Sequence, residues 1–253
     1  MMTQGALRGK GPRAQDAGPR GRWPPPPPGR HTLGVQDPAA RGPTPARPRA
    51  SRTVVLGVLG GVASGKSAAA RLLAGPAGVV LSADAAAHAA LAEPEVVEAI
   101  RAAFGPGVIG ADGAVDRPAL AAVVFRDPEA RRRLEGWIHP RVRATLRAAL
   151  EAARVEGRPR VVLDVPLLLE HDAQHGLARA CDHLVFIEVA DAERERRAAR
   201  SRGWQPGEVL RREAAQLPLD QKRRRADVVV PNDGTPEDLA AAVAAALAEL
   251  GLA

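Results

Sequence analysis

Residues 60–67 read Gly-Gly-Val-Ala-Ser-Gly-Lys-Ser, and this string constrains the fold more than any other stretch of the chain. It matches the phosphate-binding pattern G-x-x-x-x-G-K-[ST]. An apolar run at 53–59, rich in β-branched residues, precedes it, and residues 68–74, which favour a helix, follow it. The order strand, glycine-rich loop and helix is the context that this pattern needs, and an ordinary glycine turn is the alternative.

The chemistry of phosphate binding explains the spacing within the loop. Glycines at 60 and 65 let the backbone curl around an anion, so that several N–H groups and the next helix N-terminus point at it. Lys66 then reaches the β- and γ-phosphates, and the Ser67 hydroxyl is a candidate ligand for Mg²⁺. The candidate nucleotide-binding residues of the loop are Gly60, Gly61, Val62, Ala63, Ser64, Gly65, Lys66 and Ser67.

Lysine is rare in this chain, which makes its presence in the loop informative. Only Lys10, Lys66 and Lys222 stand among the 36 basic residues, so arginine is the usual cation. A lysine at 66 indicates that a compact point charge is needed, because a guanidinium fork differs in shape and hydration. The sequence therefore predicts a nucleoside triphosphate site.

The basic charge of the chain is concentrated near its N-terminus. The first 50 residues hold nine basic and two acidic side chains, whereas the remainder is balanced, although the whole chain has a net charge of +7. The same stretch holds 11 of the 23 prolines, and we expect residues 1–51 to be disordered. Alternatives are a translation start near residue 52 and an arm that contacts RNA or another anion. We expect no nucleic-acid partner for residues 52–253.

Composition excludes several other classes of protein. The single cysteine, Cys181, permits neither an internal disulfide nor a zinc cluster. No apolar stretch marks a secretory signal, and the longest one, at 239–248, is too short to span a bilayer. We therefore expect a soluble cytoplasmic protein without a membrane partner, and the oligomeric state is left open.

Short apolar runs alternate with helical patterns along residues 52–253. The predicted strands cover 53–59, 78–81, 160–165, 183–189 and 227–230, and residues 85 to about 157 are expected to be mainly helical. Uninterrupted apolar strands between helices are typical of a parallel sheet covered on both faces. The expected fold is α/β, of the P-loop NTPase type, with a five-stranded parallel sheet.

Ligands of such a sheet bind beyond the carboxyl ends of its strands. The residues gathered there are the loop at 60–67, Asp84, Asp164 and the loop at 231–234. Asp84 is a candidate to orient or deprotonate an attacking hydroxyl, and Asp164 resembles the carboxylate that holds Mg²⁺ through water. The alternative for either aspartate is that it caps a helix.

A helix is predicted at 191–202, and it carries five arginines: Arg194, Arg196, Arg197, Arg200 and Arg202. Such a run is usually a solvated helix face with i,i+4 ion pairs, and the spacing of Glu193 and Arg197 fits that interpretation. The alternative is a mobile lid, over about 191–216, that places positive charge over a transferring phosphoryl group.

Several ordered stretches resemble the dephospho-CoA kinases, the family that completes coenzyme A synthesis. The resemblance covers about residues 54–250. Its pieces are 57–67, Ala83-Asp84, Phe104-Gly105, Asp112-Gly113, Asp116-Arg117, 120–125, Leu134-Glu135, His139-Pro140, 166–170, Gln216, Lys222, Ala226-Asp227 and Asn232. The glycine loop alone indicates only a P-loop kinase, whereas the ordered set with His139-Pro140 is far more specific.

The resemblance implies transfer of the ATP γ-phosphate to the ribose 3′-hydroxyl of dephospho-CoA, with ATP as co-substrate and Mg²⁺ as the metal. It also implies a core at 52–84 and 159–253, a helical insertion at about 85–158 that holds the acceptor, and a small lid. Rival interpretations are another small-molecule P-loop kinase, for nucleoside monophosphates or shikimate, and a non-catalytic nucleotide-binding module with a basic tail.

The resemblance also implies roles for individual residues. The implied catalytic residues are Lys66, Asp84 and Arg197, and the implied acceptor contacts are Asp84, Arg117 and His139. Nucleotide contacts outside the loop are Arg202 and Asn232, and the metal site is Ser67 with Asp164. A structural role before Pro140 is the alternative for His139.

Three positions depart from the family pattern. Ser82 stands where the family usually has aspartate, Ala63 where it has glycine, and Leu59 where it has threonine. None of these changes removes Lys66 or Ser67. We expect an active enzyme whose metal binding is altered by the missing carboxylate.

Overall fold

The computed structural model describes residues 52–214 and 216–253, and the predicted disordered segment lies outside them. The described residues form a five-stranded parallel sheet in the order β2-β3-β1-β4-β5. Its strands are β1 (Val54–Gly60), β2 (Val79–Ser82), β3 (Arg160–Asp164), β4 (His183–Glu188) and β5 (Val228–Pro231). The predicted fold class is confirmed, and each strand end lies within one residue of its predicted position.

Helices connect these strands. They are α1 (Lys66–Ala74), α2 (Ala83–Leu91), α3 (Pro94–Phe104), α4 (Arg117–Arg126), α5 (Pro128–Val155), α6 (Asp172–His175), α7 (Asp191–Arg202), α8 (Glu208–Glu213), α9 (Leu219–Arg224) and α10 (Pro236–Glu249). The helix predicted at 191–202 is confirmed as α7, whereas the short helices α6 and α9 were not predicted. Among the described residues, no helix is both long and apolar enough to cross a membrane.

Helices cover both faces of the sheet because the central strand is apolar on both sides. Leu56 and Val58 of β1 belong to a core formed with α1 and α10. Val55 and Leu59, whose side chains alternate with these, belong to a second core formed with α5. Burial of both faces is what the uninterrupted apolar runs predicted.

Helices α2 to α5 fill the connection between β2 and β3 and have a small core of their own. Val96 and Ile100 of α3 pack there with Leu120 of α4 and Ile138 of α5. Farther along α5, Leu146 belongs to the core against the sheet. The long helix α5 therefore fixes this helical segment relative to the carboxyl ends of the strands.

Candidate active site

The loop at 60–67 connects β1 to α1 and depends on its glycines. Gly60 and Gly65 have φ angles of 145° and 84°, in the region that favours glycine. A Cβ at Gly60 would lie 2.8 Å from the carbonyl oxygen of Ile187, and one at Gly65 would lie 2.5 Å from Asn232 Nδ2. Ala63 also has a positive φ, of 60°, so alanine occupies a left-handed position where the resembling family has glycine.

The Lys66 ammonium folds back onto the loop. Its Nζ donates to the carbonyl oxygens of Gly61, at 2.6 Å, and Gly60, at 3.3 Å. These bonds hold the ammonium against the backbone of the loop. A phosphate bound by the loop would compete with these two carbonyl oxygens for the Lys66 ammonium.

The surroundings of Lys66 lower its pKa to about 8 from the ordinary value of 10.5. Burial is the main cause, and the positive charge of Lys222 adds to it. Asp164 and Glu213 act in the opposite direction, and Arg202 lowers the pKa slightly further. The ammonium therefore lies in a place where an additional negative charge would stabilise it.

Ser67 and Asp164 are brought together at the end of β3. The Ser67 hydroxyl donates to Asp164 Oδ2 at 2.6 Å, and Asp164 is buried. The interpretation of Asp164 as a helix cap is wrong, because the next helix begins only at Asp172. A hydroxyl and a carboxylate beside a phosphate loop fit Mg²⁺, which takes few protein ligands besides phosphates and water. Within the described residues there is no larger cluster of metal-ligating side chains.

Asp84 lies in the first turn of α2, at the end of β2. The interpretation of Asp84 as the helix cap is wrong, because α2 begins at Ala83 and its cap is Ser82, whose Oγ accepts from the Ala85 N–H at 3.3 Å. Ser82 pairs with Asp164 in the sheet register. Ser82, which stands where the resembling family has aspartate, therefore uses its hydroxyl to cap α2. The Asp84 carboxylate is exposed and lines the cleft.

A cavity of about 1030 Å³ opens beside the loop. Loop residues 62–67, Asp84 and Asp164 line one side of it. The opposite walls come from α4 and α5, with Phe125, Arg131 and Glu135, and from residues 191–216, here called the arginine-rich segment, with Arg202, Trp204, Arg211 and Arg212. The structure thus brings the glycine loop, three carboxylates and several guanidinium groups to one cleft.

Trp204 organises the arginines of this cleft and was not predicted from the sequence. The guanidinium groups of Arg202 and Arg212 lie 4.7 and 4.0 Å from its ring centroid. Arg211 lies 5.9 Å from the ring of Phe125 in α4. The only signal for Trp204 in the sequence is an aromatic residue between two basic stretches in a chain with few aromatic residues.

Arg197 and Asn232 support the loop from the side of β5. Arg197 Nη2 donates to the carbonyl oxygen of Asn232 at 2.7 Å, and Asn232 Nδ2 donates to the carbonyl oxygen of Ser64 at 2.8 Å. The expected Glu193–Arg197 pair is confirmed, with 2.8 Å between Nε and Oε1. Asn232 is buried, and neither it nor Arg197 lines the main cavity.

Arg117 and His139 lie away from the phosphate loop. Arg117 begins α4 and lines a second cavity, of about 900 Å³, within the helical segment. His139 is exposed on α5, and its ring centroid lies 6.3 Å from that of His171. Neither residue lines the cleft beside Lys66.

Lys222 is a buried lysine whose role the sequence did not indicate. Its ammonium lies 2.7 Å from Glu170 Oε1 and donates to Gln216 Oε1 at 2.9 Å. The Leu217 N–H also donates to Glu170, at 3.1 Å. These contacts tie the end of the arginine-rich segment, where Gln216 lines the cleft, to the loop after β3. The rarity of lysine, which drew attention to Lys66, applies equally to Lys222.

Comparison with known proteins agrees with this geometry. The family model for dephospho-CoA kinase matches residues 54–238. A dephospho-CoA kinase from Symbiobacterium thermophilum is 44% identical over 76% of this chain and 79% of its own length. One from Anaeromyxobacter dehalogenans is 44% identical over 78% of this chain and 92% of its own length.

Solved structures show the same fold. The crystal structure of TT1252 from Thermus thermophilus has a TM-score of 0.62 and 38% identity, and the match covers 79% of this chain and 98% of that one. Dephospho-CoA kinase from Campylobacter jejuni has a TM-score of 0.57 at 20% identity, over 78% of this chain and 97% of that one. The second match supports the fold alone.

Proposed function

Because this chain belongs to the dephospho-CoA kinase family, we propose that it transfers the γ-phosphate of ATP to the ribose 3′-hydroxyl of dephospho-CoA, giving coenzyme A and ADP. The chain is thus a phosphotransferase with an alcohol acceptor and ATP as co-substrate. The observation that carries the proposal is the single cleft that Lys66, Asp84 and Asp164 share with the arginine-rich segment. This cleft supports the proposal because it would combine phosphate binding, a carboxylate for the acceptor hydroxyl and positive charge.

The donor would bind on the glycine loop. Backbone N–H groups of residues 63–67 and the N-terminus of α1 would surround the phosphates, with Lys66 as their counter-charge. Asn232 and Arg197, which lie outside the main cavity, would act on the nucleotide site from the side of β5 by holding the loop backbone at Ser64. Ser67 and Asp164 would hold Mg²⁺, which neutralises charge on the phosphate oxygens.

The acceptor hydroxyl would approach from the side of α2. Asp84 accepts or orients its proton, because this carboxylate faces the cavity without serving as the helix cap. Arg202, Arg211 and Arg212 supply positive charge to the phosphoryl group during its transfer. These side chains belong to a lid, over 191–216, that Trp204 organises through its contacts with two guanidinium groups.

The helical segment would hold the remainder of the acceptor. Val124 and Leu134 line both the main cavity and the second cavity that contains Arg117, so the two are neighbours. The second cavity is lined largely by apolar side chains, with Arg117 and Asp116 among its polar ones. This groove suits the extended pantetheine arm, while Arg117 suits a phosphate or carbonyl oxygen of the acceptor.

An ADP-release assay with four acceptors tests the proposed function. We expect turnover with dephospho-CoA and background rates with AMP, CMP and shikimate, and the product should be identified as coenzyme A by mass. Turnover on a nucleoside monophosphate or on shikimate would instead support one of those kinases. No turnover on any acceptor, with retained nucleotide binding, would support a non-catalytic module.

The Lys66→Ala variant provides the control for this assay. We expect turnover to fall by at least about 100-fold, because the charge on the transferring phosphate loses a positioned counter-charge. The melting temperature should stay close to that of the parent, because the cost of burying the Lys66 charge offsets much of what its two hydrogen bonds to the carbonyls of Gly60 and Gly61 contribute. Retained kinase activity in this variant would contradict the assignment.

A further inference from the structure

Arg194 and Glu213 form a buried ion pair behind the phosphate loop. Arg194 lies on α7, Glu213 is the last residue of α8, and their side chains are 2% and 11% exposed. Arg194 Nη1 is in direct contact with Glu213 Oε1, and Arg194 Nη2 donates to Asp191 Oδ1 at 2.7 Å. These bonds raise the pKa of the Arg194 guanidinium despite its burial, so the charge persists.

Both members of the pair contact one residue of the loop. The Val62 N–H donates to Glu213 Oε1 at 2.6 Å, and Arg194 Nη1 lies 3.5 Å from the Val62 carbonyl oxygen. The neighbouring glycine makes this approach possible, because a Cβ at Gly61 would lie 2.6 Å from Arg194 Nη1 and from Glu213 Oε1. Charged side chains thus hold both backbone polar groups of Val62, its N–H and its carbonyl oxygen.

A buried ion pair contributes little net stability, since the cost of removing two charges from water offsets their attraction. Stability alone therefore does not account for an Arg194–Glu213 pair at this place. Neither side chain lines the main cavity, so neither contacts the phosphates there. What the pair does hold is the backbone of the phosphate loop relative to α7 and α8, which carry Arg202 and Arg211.

We propose, on the basis of the function proposed above, that Arg194 and Glu213 are positioning residues that preorganise the phosphate loop for ATP and fix the arginine-rich segment against it. The Glu213 carboxylate accepts the hydrogen bond of the Val62 N–H, and this bond keeps the loop curved before the nucleotide binds. Preorganisation of this kind strengthens nucleotide binding by removing the cost of ordering the loop. The acceptor site, formed by other elements, should be affected little.

Glu213 also belongs to the charges that surround Lys66. The groups facing that ammonium are Lys222 from α9, Asp164 from β3, Glu213 from α8 and Arg202 from α7. The Glu213→Gln variant therefore changes the charge around Lys66 as well as the contact to the Val62 N–H.

The test compares Glu213→Gln, Arg194→Gln and the double variant with a surface control. The control is the double variant of Glu151 and Arg154 to Gln, which removes an exposed ion pair on α5. ADP affinity is measured by calorimetry, and melting temperature and the KM values for ATP and dephospho-CoA are measured on the full chain.

We expect the Arg194→Gln/Glu213→Gln protein to melt near the parent temperature and to bind ADP about fivefold more weakly, because neutral hydrogen bonds replace charge-assisted ones. KM for ATP should rise while KM for dephospho-CoA stays constant. The surface control should match the parent in every measurement.

ADP affinity of the double variant within about twofold of the parent would overturn the proposal, as would an equal rise in both KM values. If Glu213→Gln alone does not fold, the double variant still decides, because it leaves no unpaired buried charge. ADP binding requires no acceptor, so a parent protein that binds ADP but does not phosphorylate dephospho-CoA would refute only the proposed function.

Discussion

Lys66 is bonded to two carbonyl oxygens of its own loop and has a pKa of about 8. Bound phosphates favour its charged form and therefore raise this pKa, so binding takes up a proton wherever the free protein has lost one. Below pH 8 the ammonium is already charged, and nucleotide affinity should not vary through this group. Above pH 8 the affinity should fall.

We predict that the dissociation constant for ADP rises above pH 8 by up to about tenfold per pH unit, the limit for one coupled proton. Calorimetry between pH 7 and 10 measures this directly, and buffers of different ionisation enthalpy count the proton taken up. The Lys66→Ala variant should lose the dependence. A dissociation constant of the parent that stays constant up to pH 10 would contradict the prediction.

Asp84 provides a second prediction for a single side chain. Asp84→Asn should lower kcat by about 100-fold or more and change the KM for dephospho-CoA little, because the carboxylate acts on the hydroxyl during transfer. Ser82→Ala, which removes the actual cap of α2, should reduce the free energy of unfolding by about 1 kcal/mol. Equal rates for Asp84→Asn and the parent would remove Asp84 from the mechanism.

The buried charges mark the limit of sequence reasoning for single residues. Lys66 could be identified because its spacing to two glycines matches a motif. Lys222 and Glu170 form an ion pair in the folded chain, but no sequence pattern connects their positions. Arg194 lies in a run of exposed arginines, yet its side chain is 2% exposed. Only tertiary packing separates it from neighbours such as Arg196, which is 70% exposed.

Secondary structure elements followed the sequence where their pattern was long or uniform. The five strands are short apolar runs bounded by polar residues, and α7 matches its predicted bounds. Helix α6, of four residues, and helix α9, of six, are too short to show a helical period in the sequence. Their formation therefore depends on tertiary packing. The start of α2 was misplaced because Ser82, rather than Asp84, provides its cap.

Helix α10 offers a test of local capping that is independent of catalysis. Thr235 and Asp238 form a capping box at its N-terminus. Thr235→Ala should reduce the free energy of unfolding by about 1 kcal/mol in denaturant titrations, and the kinetic constants should not change.

Glu249→Gln at the other end of α10 is the matched control for Thr235→Ala. It removes a negative charge from the negative end of the helix dipole, so it should increase stability by a few tenths of a kcal/mol. A Thr235→Ala protein as stable as the parent would show that the box contributes nothing to this helix.

At the scale of the whole molecule, the cleft lies entirely within residues 62–216. We therefore predict that removal of residues 1–51 leaves kcat and both KM values unchanged. Steady-state kinetics of the full and shortened chains, each checked for a cooperative melting transition, measure this. A loss of turnover together with a normal melting transition would assign the segment a part in the reaction.

The central position of β1 has a consequence for how the chain reaches its native state. Val54 pairs with Arg160, and Leu56 pairs with His183, so neither neighbour of β1 exists until much of the chain has been synthesised. Contacts between distant residues slow folding, because a long loop must close before they form. The central strand therefore has no strand partner until residues 160–188 have been synthesised, and we expect the phosphate-binding loop that follows it to become ordered late in folding.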